Sequence, residues 1–219
     1  METTIFESEE LRQLETLAQQ RRTIKRYQHL FRAGSPLQYL YLIRAGSFKS
    51  CVLDSNGREQ ITGFHMNGEL LGSCAIGTGK HLCDMMALED SSVYEISFAE
   101  VERLVHEIPT LQRCLNRAMS REVERNYKSM LLLGSMRAEE RLATFLLDLS
   151  QRFAKQGYSA TEFNLRMTRE EIGSYLGLKF ETVSRMFSNF RESHSIEVKN
   201  RAIEIKDLNR LQQMVGHYA

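Results

Sequence analysis

The sequence predicts an α+β protein in which a strand-rich half precedes a helical half. Glycines recur between short apolar runs over residues 23–98, which is typical of a β-sandwich or barrel. Glycines then vanish over residues 108–133, where apolar residues recur every three or four positions, as in a long helix. Near the C-terminus a short helical segment, a turn with glycine and a second helical segment predict a helix-turn-helix.

Composition places the chain among soluble globular proteins. It has 219 residues, 42% of them hydrophobic and 26% charged, and a formal net charge of +1. No apolar run approaches the ~20 residues that span a bilayer, and the acidic first ten residues do not resemble a signal peptide. We therefore expect a cytoplasmic protein without a membrane partner. The balanced charge neither favours nor excludes nucleic acid as a partner.

The N-terminal part, residues 1–107, is predicted to be the strand-rich domain. A first helix over residues 7–21, capped by Ser8, is expected to precede it. Asp54-Ser55-Asn56-Gly57 is a turn signal between two strands. The strands are indicated by the apolar runs at residues 39–43, 51–53, 60–62 and 92–96.

A long helix is predicted over residues 108–134, with Pro109 in its first turn. Its apolar stripe is narrow and its other faces are charged, which favours pairing with the same helix of a second copy. The residues assigned to this dimer seam are Leu111, Leu115, Met119 and Met130. A core helix within a single chain remains the alternative.

The segment 135–219 carries the predicted helix-turn-helix. Thr168 and Glu171 have the spacing of a capping box, which marks the start of the first helix. Gly177 is expected to end that helix in a left-handed conformation, and Lys179 to begin a second helix that runs to about Arg191.

The second helix is predicted to have two faces. The inward face is apolar and consists of Val183, Met186, Phe187 and Phe190. Glu181, Ser184 and Arg185 share the outward face, and each suits a base edge in the major groove of DNA. Arginine bonds to guanine, glutamate accepts from cytosine, and serine serves either base. The alternative is an ordinary solvated helix with a Glu181–Arg185 salt bridge.

Residues 196–205 alternate around a polar turn and predict a β-hairpin, or wing, beside this helix. Basic and hydroxyl side chains at the wing tip and at the two helix starts are placed where DNA phosphates bind. The candidate phosphate contacts are Thr168, Arg169, Lys179, Thr182, Lys199 and Arg201.

These segments together resemble the CRP/FNR regulator family, and most closely its fumarate and nitrate reduction (FNR) branch. The matching segments include residues 30–34, 59–65, 138–143, 167–169 and 175–178, with Glu181-Thr182-Val183-Ser184-Arg185 as the branch's DNA-reading signature. The resemblance implies an N-terminal β-roll, a jelly roll of the cyclic-nucleotide-binding type, followed by a dimerisation helix and a winged helix. It also implies a homodimer on a TTGAT-N4-ATCAA inverted repeat, activation of transcription and contact with RNA polymerase, for which a loop at residues 62–72 is a candidate.

The same resemblance predicts that the familiar cofactors are missing. Tyr94 stands where the branch has a cluster-ligating cysteine, and no cysteine precedes Cys51, so an iron–sulfur cluster is not expected. His81-Leu82-Cys83-Asp84 replaces the arginine pair that binds the cyclic phosphate, so cAMP is not expected, although Lys80 and His81 offer partial compensation. We predict no metal site.

We expect no small-molecule effector, with control by expression level or by a partner. Three alternatives concern what the protein senses and does. Cys74 and Cys83 flank a glycine-rich loop and could form a redox switch that gates DNA binding. Haem could be held by one of three histidines, His65, His81 or His106. The helical C-terminus could instead contact only protein. An enzyme is not expected, because no nucleophile elbow, phosphate-binding loop or H-E-x-x-H motif occurs.

Overall fold

The computed structural model describes residues 8–54 and 56–215. The chain divides into two compact units, residues 1–127 and 128–219. The boundary falls inside one long helix. The three-segment division at residues 107 and 134 stays a prediction.

The first unit contains most of the strands. Its helices are α1 (Ser8–Thr16), α2 (Phe98–Leu104) and the first part of α3 (Pro109–Ser135). Its strands are β1 (Ala18–Ile24), β2 (His29–Phe31), β3 (Tyr39–Ala45), β4 (Ser47–Leu53), β5 (Glu59–Met66), β6 (Leu70–Leu71), β7 (Asp84–Ala87) and β8 (Ser91–Ser97). They form two antiparallel four-stranded sheets, in the orders β1-β8-β3-β6 and β2-β7-β4-β5.

Strand β3 contributes side chains to two cores of this unit, one on each of its faces. Tyr41 and Ile43 pack into a core with residues of both sheets, including Phe48. Leu40 and Leu42 point the other way, into a second core formed with the helices. A strand buried on both faces is a continuous apolar run, as the sequence indicated. This is the β-roll that the sequence predicted.

One prediction for the N-terminal region, the extent of the first helix, is corrected. The helix expected over residues 7–21 ends at Thr16, and residue 7 lies outside the described part. Ala18–Ile24 is an edge strand paired with β8, where Arg22 lies 3.2 Å from the buried carboxylate of Glu95. Because five consecutive side chains of this strand are exposed, it lacks the alternation that reveals a half-buried strand. The turn between β4 and β5 is confirmed for its described residues, with Gly57 at φ 76°.

Helix α3 corrects the predicted dimer seam at two positions. Leu111 is 0% exposed and Leu115 is 9% exposed, because both pack against the sheet and α1 of their own chain. They are therefore inaccessible to a second copy. Met119 and Met130 are 37% and 69% exposed, so these two predicted seam residues remain available. The helix continues through Gly134 to Ser135.

The second unit follows the predicted order of elements. After the end of α3 come α4 (Ala138–Lys155), β9 (Glu162–Asn164), α5 (Arg169–Leu176), α6 (Phe180–Glu192), β10 (Ile196–Lys199), β11 (Ala202–Ile205) and α7 (Leu208–Val215). The three strands form an antiparallel sheet in the order β10-β11-β9. Helix α4 packs against α5, α6 and α7, and its Leu142 and Leu146 are fully buried. None of the helices among the described residues is long and apolar enough to cross a membrane.

Candidate nucleic-acid interface

Helix α5 begins and ends as its sequence predicted. The backbone N–H of Thr168 donates to a Glu171 carboxylate oxygen at 2.7 Å, and the N–H of Glu171 donates to the Thr168 hydroxyl oxygen at 3.2 Å. These reciprocal bonds satisfy two backbone donors that a helix start otherwise leaves without partners. Gly177 ends the helix at φ 64°, ψ 38°, the left-handed conformation that glycine adopts without strain.

The turn between α5 and α6 also depends on Gly173. A Cβ atom at this position would lie 2.6 Å from the carbonyl oxygen of Leu178, closer than any normal contact. The Gly173 carbonyl in turn accepts from the Leu178 N–H at 2.9 Å. The sequence analysis missed this role, because a glycine inside a short helix gives no signal of what approaches it.

Helix α6 has the two faces that were predicted. Val183, Met186, Phe187 and Phe190 are all buried. Glu181 and Arg185 are exposed and Ser184 is half-buried. The buried inward face carries two phenylalanines and fixes the rotation of the helix. Glu181, Ser184 and Arg185 therefore lie together on the outward face.

Glu181 and Arg185 do not form the salt bridge of the alternative interpretation. Across residues 8–54 and 56–215, neither side chain makes an ion pair within 4.0 Å or a hydrogen bond. Both groups are therefore available to an external partner. Phe180, the first residue of the helix, is also 44% exposed beside them, a feature that the sequence analysis did not anticipate.

The wing is the hairpin of β10 and β11, with Lys199 and Ala202 as its last paired residues. Asn200 takes a positive φ of 57° in the turn, and Lys199 and Arg201 are both exposed there. One Arg201 Nη donates to the carbonyl oxygen of Arg166 at 3.2 Å, which holds its guanidinium near the loop before α5.

The remaining predicted phosphate contacts differ in exposure. Lys179 is exposed at the start of α6, and Thr168 and Thr182 are half-buried. Arg169 is not the freely solvated cation that the sequence suggested. Its guanidinium carbon lies 3.2 Å from the centre of the Phe187 ring, and its burial lowers the pKa to about 10.

Arg141 is a structural residue that sequence reasoning missed. Its guanidinium donates to three backbone carbonyl oxygens, those of Leu133, Met136 and Leu176, at 2.9–3.0 Å. The last carbonyls of a helix lack intrahelical donors, so this one side chain satisfies groups at the ends of α3 and α5. Its partners are distant in the sequence, and no local pattern indicates them.

The β-roll holds a buried polar cluster, which we call the Glu69 cluster: Ser50, His65, Glu69 and Arg125. One Arg125 Nη lies 2.8 Å from a Glu69 carboxylate oxygen, and the other lies 2.6 Å from Nδ1 of His65. The same Nδ1 also lies 3.3 Å from a Glu69 carboxylate oxygen, and Nε2 of His65 lies 3.0 Å from the Ser50 hydroxyl oxygen. Burial, reinforced by the Arg125 charge, lowers the pKa of His65.

The other candidate sensor residues are placed as follows. His81 is buried and stacks on Phe31 with ring centres 3.7 Å apart, and its burial lowers its pKa. His106 is exposed. Cys74 and Cys83 are both free thiols and both are half-buried. Cys114 lies in the second core, formed with the helices, where its thiol donates to the Glu10 carbonyl oxygen at 3.8 Å.

Two family models match the chain. A cyclic nucleotide-binding domain matches residues 21–107, and a Crp-like helix-turn-helix domain matches residues 140–214. The transcriptional regulatory protein btr of Bordetella pertussis is 45% identical over 94% of this chain and 86% of its own length. The fumarate and nitrate reduction regulatory protein of Escherichia coli K12 is 44% identical over 95% of this chain and 83% of its own length. The structure of FixK2 from Bradyrhizobium japonicum superposes with a TM-score of 0.83 at 29% identity, covering 91% of this chain and 98% of that one.

A β-roll followed by a winged helix-turn-helix with an open polar recognition face defines a DNA-binding transcription regulator. Relatives of that class match nearly the whole chain. The chain belongs to the CRP/FNR family of transcription regulators, as the sequence resemblance predicted, and its relatives are regulators rather than enzymes.

Proposed function

We propose that this regulator binds as a homodimer to an inverted repeat of the type TTGAT-N4-ATCAA, with α6 of each copy in the major groove. The proposal rests on the accessibility of two side chains, Glu181 and Arg185. Both are exposed and free of partners in the described chain, on a helix whose opposite face is buried. A carboxylate on a DNA-facing helix opposes non-specific attraction, so its presence favours base reading.

Base recognition is assigned to the three outward residues of α6. The Arg185 guanidinium suits O6 and N7 of a guanine, and the Glu181 carboxylate suits the amino group of a cytosine. Each TTGAT half-site contains one G·C pair, which offers both partners. Ser184 keeps a hydroxyl donor for a neighbouring base or phosphate.

Phosphate contacts are assigned to Lys179, Thr182, Lys199 and Arg201, and to the half-buried Thr168. Lys199 and Arg201 extend this surface along the wing. The Arg169 guanidinium packs on the Phe187 ring. We therefore assign Arg169 a smaller direct role in phosphate binding than the exposed cations.

The dimer is assigned to the exposed stripe of α3. Met119, Val123, Asn126, Met130 and Leu133 are all exposed, and their spacing alternates between four and three residues. This is the seam pattern of a two-stranded coiled coil. A polar residue such as Asn126 within the seam favours one register of pairing.

Contact with RNA polymerase and activation of transcription are typical of the family, and we propose both here. The segment at residues 62–72 is a poor polymerase contact in this chain. Phe64, His65 and Met66 of β5 and Leu70 and Leu71 of β6 are all buried rather than displayed on a loop.

We infer that the β-roll binds no cyclic nucleotide, although its family model carries that name. A cyclic phosphate needs an available cation. Arg125 is bound to Glu69 and His65. His81 is buried and its burial lowers its pKa, which leaves the exposed Lys80 as the remaining candidate. Calorimetric titration with cAMP tests this inference: no heat of binding is expected, and saturable heat at one site per chain would refute it.

The positions of the cysteines argue against an iron–sulfur cluster, which needs several thiolates close together. Cys114 lies in the core formed with the helices, whereas Cys83 packs against the core between the two sheets, and no group of three metal-ligating residues occurs among the residues described.

The homodimer proposal is tested with the reduced full-length chain and fluorescent duplexes by sedimentation and anisotropy. Two chains are expected per duplex with both half-sites, and scrambling one half-site should weaken binding at least about tenfold. Val123→Glu puts a charge in the seam and should weaken self-association by at least about 100-fold. Ser120→Glu adds the same charge off the stripe and should remain dimeric. Binding of a single chain with full affinity would contradict the proposal.

A further inference from the structure

The Glu69 cluster joins helix α3 to the β-roll beyond the apolar contact between them. The buried apolar residues of α3 that pack in the core formed with the helices are Leu111, Cys114, Leu115 and Ala118. Arg125 follows about two helical turns after the last of these. One Nη of Arg125 lies 2.8 Å from a carboxylate oxygen of Glu69, and the other lies 2.6 Å from Nδ1 of His65 on β5. Arg125 therefore fastens a part of α3 that the apolar core does not reach.

Gly63 of β5 leaves room for the Arg125 side chain. A Cβ atom at this position would lie 3.4 Å from Cδ of Arg125, 3.2 Å from Nε2 of His65 and 3.1 Å from the Ser50 hydroxyl oxygen. The stem of Arg125 therefore passes directly over the glycine. Its guanidinium reaches a histidine that is 4% exposed and a glutamate, Glu69, that is 6% exposed.

Nδ1 of His65 lies between two groups that require opposite protonation states. Arginine only donates hydrogen bonds, so the contact with Arg125 at 2.6 Å needs Nδ1 without a proton. An ionised carboxylate only accepts, so the contact with Glu69 at 3.3 Å needs Nδ1 with a proton. The ring can therefore bond to one of these two partners at a time through this nitrogen.

The groups that face the His65 ring favour its neutral form at pH 7. Burial and then the Arg125 charge lower the pKa of His65, while Glu69 and Glu122 oppose the shift. Glu122 belongs to α3 and lies 3.5 Å from Arg125. From β4 the ring faces the uncharged Ser50 hydroxyl, 3.0 Å from Nε2. The bare Nδ1 is thus available to Arg125 at neutral pH, and a proton on it would place a second cation against the guanidinium.

We propose that Arg125 is a positioning residue that holds α3 against the β-roll, and that a proton on His65 weakens this hold. At neutral pH the guanidinium binds Glu69 and His65 together. When Nδ1 takes up a proton from solvent, its N–H donates to Glu69 and the two cations repel each other, so Arg125 loses one of its two partners. Loss of the proton restores the acceptor, which makes the change reversible.

The segment of α3 that Arg125 holds also carries the start of the proposed dimer seam, at Met119, Val123 and Asn126. Two chains pair along such a seam when both helices keep their path. Self-association should therefore weaken as the pH falls below about 6.5, the ordinary pKa of histidine. This consequence rests on the proposed homodimer, whereas the hold of Arg125 on α3 does not.

Hydrogen exchange tests the hold in the full-length Val123→Glu chain, in which the seam carries a charge. Protection factors, corrected for the intrinsic effect of pH, compare the amides of residues 119–127 with those of residues 111–118 in the same helix. Between pH 7.5 and pH 5, protection of residues 119–127 should fall at least about fivefold more than that of residues 111–118. An equal change in both segments would show general destabilisation and would overturn the proposal.

Variants in the same background assign the effect to the two side chains. Arg125→Met should lower the protection of residues 119–127 already at pH 7.5, and Arg125→Lys should restore part of it, because lysine keeps a cation for Glu69. His65→Asn takes up no proton, so it should keep this protection at pH 5. His106→Asn removes an exposed histidine as the matched control and should behave as the parent chain. Acid-dependent loss that persists in His65→Asn would overturn the assignment.

Sedimentation of the native chain tests the consequence for the dimer. Its self-association should weaken at least about fivefold between pH 7.5 and pH 5, and His65→Asn should remove most of this change. A dimer that is equally stable at both pH values would overturn the link between Arg125 and the seam. A chain that shows the exchange pattern but stays monomeric at every pH would contradict the homodimer and support the hold of Arg125 on α3.

Discussion

The guanidinium carbon of Arg169 lies 3.2 Å from the centre of the Phe187 ring. Arg169 is the first residue of α5, and Phe187 belongs to the buried face of α6. The contact therefore joins helices α5 and α6 of the helix-turn-helix. A cation over an aromatic ring contributes about 0.5–2 kcal/mol, depending on its burial.

Arg169→Lys distinguishes this packing role from a simple phosphate contact. Lysine keeps the charge but loses the planar group that stacks on the ring. We expect the free energy of unfolding to fall by about 1–2 kcal/mol in urea denaturation. Unchanged stability together with weakened DNA binding would show that the residue acts mainly on phosphate.

Gly173→Ala should destabilise the turn between α5 and α6. The added methyl would lie 2.6 Å from the Leu178 carbonyl oxygen, so the backbone must move, at an expected cost of about 1–3 kcal/mol. Thermal unfolding measures the loss. Gly134→Ala is the control, because its Cβ would meet nothing within 4 Å, and it should be neutral or stabilising by up to about 1 kcal/mol.

Stability should decrease as the pH falls below about 6.5. The pKa of His65 is lowered in the folded chain, chiefly by burial and then by Arg125, while Glu69 and Glu122 partly oppose the shift. The unfolded chain therefore takes up a proton at a pH where the folded chain does not, which favours unfolding. His81 acts with the same sign.

His65→Asn retains an acceptor for Arg125 but does not titrate, so it should reduce the slope of stability against pH between 7 and 5. The slope should not vanish, because His81 remains. Urea denaturation at several pH values provides the comparison, and identical slopes for variant and wild type would exclude His65 as a contributor.

Lys199→Ala and Arg201→Ala at the wing should weaken binding to all duplexes alike. Each removes one phosphate contact per subunit and therefore two per dimer, so the slope of log affinity against log salt should decrease by about 1.8 per substitution. Anisotropy over a range of salt concentrations measures this slope. Lys155→Ala, an exposed cation at the end of α4, serves as the control, and an effect confined to one base sequence would argue against phosphate contact.

The helix-turn-helix was predictable because its signals are local. The Thr168–Glu171 box, Gly177 and the spacing of Val183 to Phe190 each lie within one or two helical turns.

Contacts between residues that are far apart in the sequence could not be predicted. Nothing near Arg125 indicates Glu69, and the apolar stripe of α3 could not show that Leu111 packs in its own chain while Met130 stays exposed. Helix periodicity identifies a buried face but not the surface that buries it.

Base recognition by α6 can be measured in a single comparison. The affinities of wild type and Arg185→Ala are measured by anisotropy on the TTGAT-N4-ATCAA repeat and on a repeat whose two G·C pairs are replaced by A·T. Wild type should prefer the first duplex by about 1–3 kcal/mol per half-site for each base contact, and the variant should lose the part of the preference that Arg185 supplies, with an unchanged unfolding transition. A folded variant that keeps the full preference would contradict the claim.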